Sequence, residues 1–124
     1  MRTKTLFMIL VLAMITLLIA AGCGGSQPSS GKTSEVTLVL TEFKFSPDTL
    51  NVKVGEHVKV TLDNTKGTLK HNIKQADLNI DTAVEAGQKA TFEFTPTKAG
   101  TFDFVCDVAG HKEAGMVGKI VVQP

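Results

Sequence analysis

From Glu35 onward apolar residues recur at every second position in short runs, with no long stretch of helical period. Alternation of this kind puts one set of side chains on a buried face and the other in water, so each run reads as a half-buried strand. Val36, Leu38 and Leu40 hold one parity and Phe43 and Phe45 the other, a switch that predicts a bulge or a strand changing sheets. Leu50, Val52 and Val54 follow Pro47 and run up to the turn signal Gly55-Glu56; Val58, Val60 and Leu62 form the next face, ended by a loop from Asp63 to Gly67. Leu69, His71 and Ile73 share a parity, and Phe92 and Phe94 mark a further strand. Between them, residues 76–88 alternate weakly and leave a short helix or a meandering loop open. Strands this short, separated by turn signals, predict an all-β antiparallel sandwich of about seven to eight strands.

The last part of the pattern carries chemistry. In Gly100 to Val122 (GTFDFVCDVAGHKEAGMVGKIVV) Phe102, Phe104 and Cys106 share one parity before a turn, and Met116, Gly118, Ile120 and Val122 share one after it. Four residues separate Cys106 from His111 and four more separate His111 from Met116. That is longer than a chain reversal needs, and it allows a thiol, an imidazole and a thioether to be aimed inward together. Met116 is the sole Met and Cys106 the sole Cys beyond the first 23 residues. A Cys23–Cys106 disulfide is the plain alternative for the thiol.

Parity also sorts the histidines. His57 shares a face with Lys59 and Thr61, which reads as solvated surface. His71 shares one with Leu69 and Ile73, so its imidazole is expected in the core, where it must be hydrogen-bonded or ligated. Two His, one Cys and a Met are the donors of a blue-copper electron-transfer site: a soft thiolate and thioether suit Cu(I), and imidazole suits both oxidation states. Zinc competes for Cys and His, but a thioether is a poor zinc ligand and structural zinc sites favour closely paired Cys. A Cys/His nucleophilic pair lacks an evident Asn or Asp to orient the His.

The leading segment has a separate use. Residues 1–22 run from Arg2 and Lys4 into an apolar stretch, Leu6 to Ala21, and read as an export signal. As a helix that stretch reaches about 24 Å, short of the roughly 30 Å hydrocarbon core. Ala20-Ala21-Gly22-Cys23 resembles the lipobox of bacterial lipoproteins, with Ala20 where Leu is commonest. The resemblance implies acylation of Cys23; ordinary cleavage to a soluble exported protein is the alternative. Residues 23–34 then form the lipidated Cys and a flexible tether, and 35–124 the folded domain. The formal net charge of +1 turns slightly negative once Arg2 and Lys4 are set aside, so nothing argues for nucleic acid.

Val52 to Glu56 (V-x-V-G-E), the pair His71-Asn72, Gly100 to Cys106 (G-T-F-D-F-V-C) and Gly110 to Gly118 (G-H-x-x-x-G-M-x-G) together resemble the cupredoxin family, the plastocyanin, azurin and auracyanin type of blue copper protein. The resemblance spans Val36 to Val122 and implies a Greek-key β-sandwich holding one copper ion. His71, Cys106 and His111 would be its strong ligands, Met116 the axial one, and Asn72 would tie the two ligand-bearing loops together, although alternation alone would turn Asn72 outward. The spacing is longer than in plastocyanins and nearer that of azurins and auracyanins. A binuclear copper-A centre would need a second Cys in the loop, and multicopper oxidases set a His beside the Cys where this chain has Val105 and Asp107. The implied function is a one-electron carrier and not an enzyme, monomeric, with transient redox-protein partners. It would sit at the periplasmic face or cell surface of a bacterium, held to the membrane through Cys23. A copper delivery or storage protein on the same fold is the alternative function, and a metal-free adhesive sandwich a weaker one.

Overall fold

The computed structural model describes residues 33–124; the expected export segment, Cys23 and nearly all of the tether lie outside the described residues. Nine strands occur among the described residues: β1 (Ser34–Thr41), β2 (Lys44–Ser46), β3 (Thr49–Lys53), β4 (Val58–Asp63), β5 (His71–Gln75), β6 (Ile80–Val84), β7 (Lys89–Phe94), β8 (Gly100–Val105) and β9 (Val117–Gln123). They form a four-stranded sheet in the order β2-β1-β4-β7 and a five-stranded sheet in the order β3-β9-β8-β5-β6. The described residues form an all-β, two-layered domain, as the alternation requires.

Leu38, Leu40, Phe45, Val58, Val60 and Leu62 from the first sheet are fully buried, and Leu50, Val52, Ile73, Phe104, Ile120 and Val122 from the second nearly or fully so. At the centre Phe45 meets Phe104 edge to face, with ring centroids 5.0 Å apart, joining the two layers. Val54 and Leu69, expected inside from their parity, are 39 % exposed because each lies just outside a strand, where the pleat no longer governs direction.

Three features differ from the expectation. The parity switch after Leu40 is neither a bulge nor a change of sheet: β1 and β2 are an antiparallel hairpin whose last pair is Thr41–Lys44, leaving Glu42 and Phe43 as a two-residue turn. Phe43 is 40 % exposed and has left the core. Two pairings, β1 with β4 and β3 with β9, are parallel; the chain crosses to the second sheet with β3 and returns with β4, and a crossover brings the strand back in the same direction. The weakly alternating stretch holds a single 3-10 turn, Ala76–Leu78, and then β6. As the edge strand of its sheet, β6 buries only Ile80 and Val84 at its ends, so it left little pattern to read.

Candidate metal centre

β5 and β8 pair at Lys74–Val105. Toward the start of β5 the two strands part, and the wedge between them is closed by side chains instead of a ladder. The Asn72 N–H donates to Cys106 Sγ at 3.4 Å. Asn72 Nδ2 donates to Asp107 Oδ1 at 2.6 Å, and the Asp107 N–H donates back to Asn72 Oδ1 at 2.9 Å. Asn72 is therefore only 7 % exposed despite its outward parity, because Asp107 covers it. Lys74 Nζ holds the other Asp107 oxygen at 2.8 Å. Lys74 first and Asn72 second keep the Asp107 carboxyl below the usual carboxylate range.

His71 opens β5, and Cys106 lies one residue beyond β8. The Cys106 N–H nevertheless continues the ladder direction by donating to the Met116 carbonyl at 3.0 Å. The segment between them is wound into tight turns: His111 N–H donates to Val108 O at 3.0 Å, Ala114 to Gly110 at 3.1 Å, Gly115 to Lys112 at 2.9 Å and Met116 to His111 at 3.0 Å. Gly110 and Gly115 stand at φ +83° and +98°, where a side chain would be strained. This winding accounts for the four-residue spacings, since each brings a ligand-bearing residue back to the inner side of the loop.

The result gathers the donor atoms. One atom each from His71, Cys106 and His111 lie within 4.8 Å of one another. Cys106 Sγ is 3.4 Å from His111 Nδ1 and 4.0 Å from His71 Nδ1, and the two Nδ1 atoms are 3.1 Å apart. His71, Cys106 and Met116 are 0 % exposed and His111 6 %. Burial chiefly, and His111 beside it, push the His71 pKa down, which favours the neutral imidazole that a metal requires. Two imidazole nitrogens and a sulfur converging in a site closed to water suit a cation, and a thiolate with imidazoles and a buried thioether suits copper. His71, Cys106, His111 and Met116 are arranged as a type 1 copper site.

His57 lies elsewhere, half-exposed, with Nε2 3.2 Å from Glu93 Oε2 and Nδ1 3.2 Å from Thr95 Oγ1. Sequence reasoning passed over three residues that touch the site or hold a segment beside it. Phe43 packs its ring edge to face on His111, centroids 5.1 Å apart; Glu42 accepts from Thr68, in the loop leading to His71; and Asp107 holds Asn72. The parity switch at Glu42-Phe43 was the available signal for the first two, and the position next to Cys106 for the third.

Comparison with known proteins agrees with the geometry. Residues 8–122 match the family described as the cupredoxin-like domain. A copper-resistant cuproprotein CopI of Pseudomonas aeruginosa is 49 % identical over 150 aligned positions, covering 82 % of this chain and 82 % of that protein. A copper-resistant cuproprotein CopI of Rubrivivax gelatinosus is 31 % identical over 121 positions, covering 82 % and 73 %. Among solved structures, a dithionite-reduced auracyanin of Roseiflexus castenholzii superposes with a TM-score of 0.60 at 21 % identity, over 73 % of this chain and 98 % of that one, and so shares its fold. With the family match spanning nearly the whole chain over a buried Cys, two His and a Met between two packed sheets, the chain belongs to the cupredoxin family.

Proposed function

We propose that this protein is a one-electron carrier of the type 1 copper class, working at the outer face of a membrane. The observation that carries the reading is the convergence of three donors within 4.8 Å on groups tied down by the protein's own bonds. His71 begins a paired strand, Asn72 N–H fixes the Cys106 sulfur, and the loop bonds of His111 and Met116 fix the remaining two. Copper held there would supply the Cu(II)/Cu(I) couple, with His71, Cys106 and His111 as strong ligands and Met116 as a weak one. The chain's part is to keep those side chains in place as charge comes and goes, and the two packed sheets give the rigidity this needs. His111, at 6 % exposure where His71 and Cys106 have none, is the side chain nearest to a partner. Small residues beside it, Ala109, Gly110, Ala114 and Gly115, suit brief docking of a redox protein. Anchoring through an acylated Cys23 is supported by the lipobox-like sequence Ala20 to Cys23, and Cys23→Ser should release the protein while leaving its colour intact.

A second reading, copper handling for tolerance, is favoured by the two relatives whose names describe copper resistance. One experiment separates the two. With Cu(II) the chain should turn intensely blue or green, and Cys106→Ser should abolish the colour. A carrier then exchanges electrons rapidly and keeps its metal against a chelator of moderate affinity. Slow electron exchange with ready transfer of Cu(I) to the chelator would move the assignment to copper handling, and absence of colour would remove the carrier reading.

A further inference from the structure

The β1–β2 turn is built from the wrong residues for a turn. A two-residue hairpin turn favours Asn or Gly, because left-handed backbone is costly for a residue with a bulky side chain. Here the turn is Glu42-Phe43, and Phe43 takes φ +61°. Phe43 is 40 % exposed, while its strand neighbours Leu38, Leu40 and Phe45 are fully buried. Neither the backbone nor the core is served by this choice. Strain of this kind persists where the surroundings over-determine it, and it concentrates at functional sites.

What the turn touches explains the choice. Phe43 meets His111 at 5.1 Å between centroids and 89° between planes, the edge-to-face arrangement that aromatic quadrupoles favour. Glu42 Oε1 accepts from Thr68 Oγ1 at 2.8 Å and Thr68 N–H at 3.2 Å, three residues before His71. One turn from the opposite sheet thus reaches both histidine-bearing segments, whose rings lie 4.9 Å apart. His111 is the one donor with any exposed surface, and Phe43 lies against it.

We propose that the Glu42-Phe43 turn is a clasp over the metal end of the sandwich: Phe43 holds and shields the His111 ring, Glu42 holds the segment leading to His71, and together they slow the exchange of metal. Phe43 and Glu42 are positioning residues and not ligands. The clasp deepens the carrier reading, since a carrier must retain its metal through repeated cycles, and its exchange arm rests on that reading.

The test exploits the misfit of the turn. Phe43→Gly in the full chain suits φ +61° and removes the ring, so the metal-free variant should unfold at the same or higher denaturant than the parent. Its copper should nevertheless pass to a chelator about threefold to tenfold faster, the range expected from losing one aromatic pair. In the metal-free chain the His111 ring NMR signals should broaden, and Phe43→Tyr should restore both the slow release and the sharp signals. Glu42→Ala should broaden the His71 ring signals and leave those of His111 sharp. Copper release from Phe43→Gly at the parent rate, unchanged His111 signals, or a Tyr variant as fast as Gly would overturn the proposal. A Gly variant less stable than the parent would overturn it too, because the ring would then belong to the packing of the fold. If the parent takes up no Cu(II), the carrier reading falls, while the metal-free ring signals still decide the role of the turn.

Discussion

Asn72 makes three bonds where the ladder between β5 and β8 opens, and each secures a different part of the centre. Its N–H holds the Cys106 sulfur, its Nδ2 holds Asp107, and its Oδ1 receives the Asp107 N–H. Asn72→Ala removes the last two and leaves a backbone donor beside the ligand loop without its partner, which costs about 1–3 kcal/mol. The bond to sulfur is made by backbone and survives in principle, but its geometry loosens once the loop is no longer pinned. Hydrogen bonding at the Cys sulfur tunes the potential of such a site; a weaker donor leaves more charge on sulfur and favours Cu(II). The expected result is a lower unfolding midpoint together with a lower reduction potential. A variant that loses stability and keeps its potential would show that Asn72 supports the loop without acting on the metal.

At the scale of elements, β9 packs closely on its surroundings at Gly118. A Cβ on Gly118 would lie 2.3 Å from the Phe104 ring and 2.6 Å from the Asp48 carbonyl. Phe104 is fully buried against Phe45, so its ring has no room to retreat. Gly118→Ala therefore over-packs the core by one methyl and should destabilise by about 1–3 kcal/mol, read as a shift of the denaturant midpoint at unchanged slope. An unchanged midpoint would mean that β9 can slide outward, against its pairing with both β3 and β8. The same elements show what the sequence could disclose. Strands with one fully buried face, such as Val58-Val60-Leu62, were readable because burial and alternation are the same fact seen twice. The donor set was readable because Cys, His and Met are scarce in this chain and fall at fixed spacing. Strand direction was not, because alternation is identical in parallel and antiparallel pairs and only the route of the connection decides. The Glu42-Phe43 turn was misread for the complementary reason: an aromatic residue beside a strand is expected inside, and this one is held outside by a histidine 68 residues later in the chain.

At the scale of the molecule, four carboxylates among the described residues hold separate parts of the chain together and have their pKa lowered by doing so, and acid should release them. Asp63 bonds to Lys89 Nζ at 2.7 Å across β4 and β7 and to Thr65 in its own loop, in that order of effect, and its pKa falls from 3.8 to about 2. Lys74 and Asn72 lower Asp107, Thr68 lowers Glu42, and Ser34 followed by the Lys53 N–H lowers Glu56, which ties the start of β1 to the β3–β4 turn. A carboxylate whose pKa is lowered by folding stabilises the fold above its unfolded value, and the benefit is lost as pH falls through the folded one. For Asp63 that window runs from 3.8 down to about 2. His71 acts at higher pH with the same sign: its folded pKa is below 6.5, so the stability of its neutral form is full above 6.5 and declines as pH drops beneath it. The urea midpoint of the metal-free chain should therefore fall in two stages on acidification, and salt should tell them apart. Asp63 and Asp107 are paired with the half-exposed lysines Lys89 and Lys74, so at about 1 M salt, where the Debye length is about 3 Å, the part of the lower stage that these ion pairs supply should shrink, while the part held by the Thr68 and Ser34 hydrogen bonds remains. His71 is fully buried and its shift comes first from desolvation, which salt does not screen, so the upper stage should persist. A midpoint that stays level on acidification, or an upper stage that disappears with salt, would contradict this assignment of the groups.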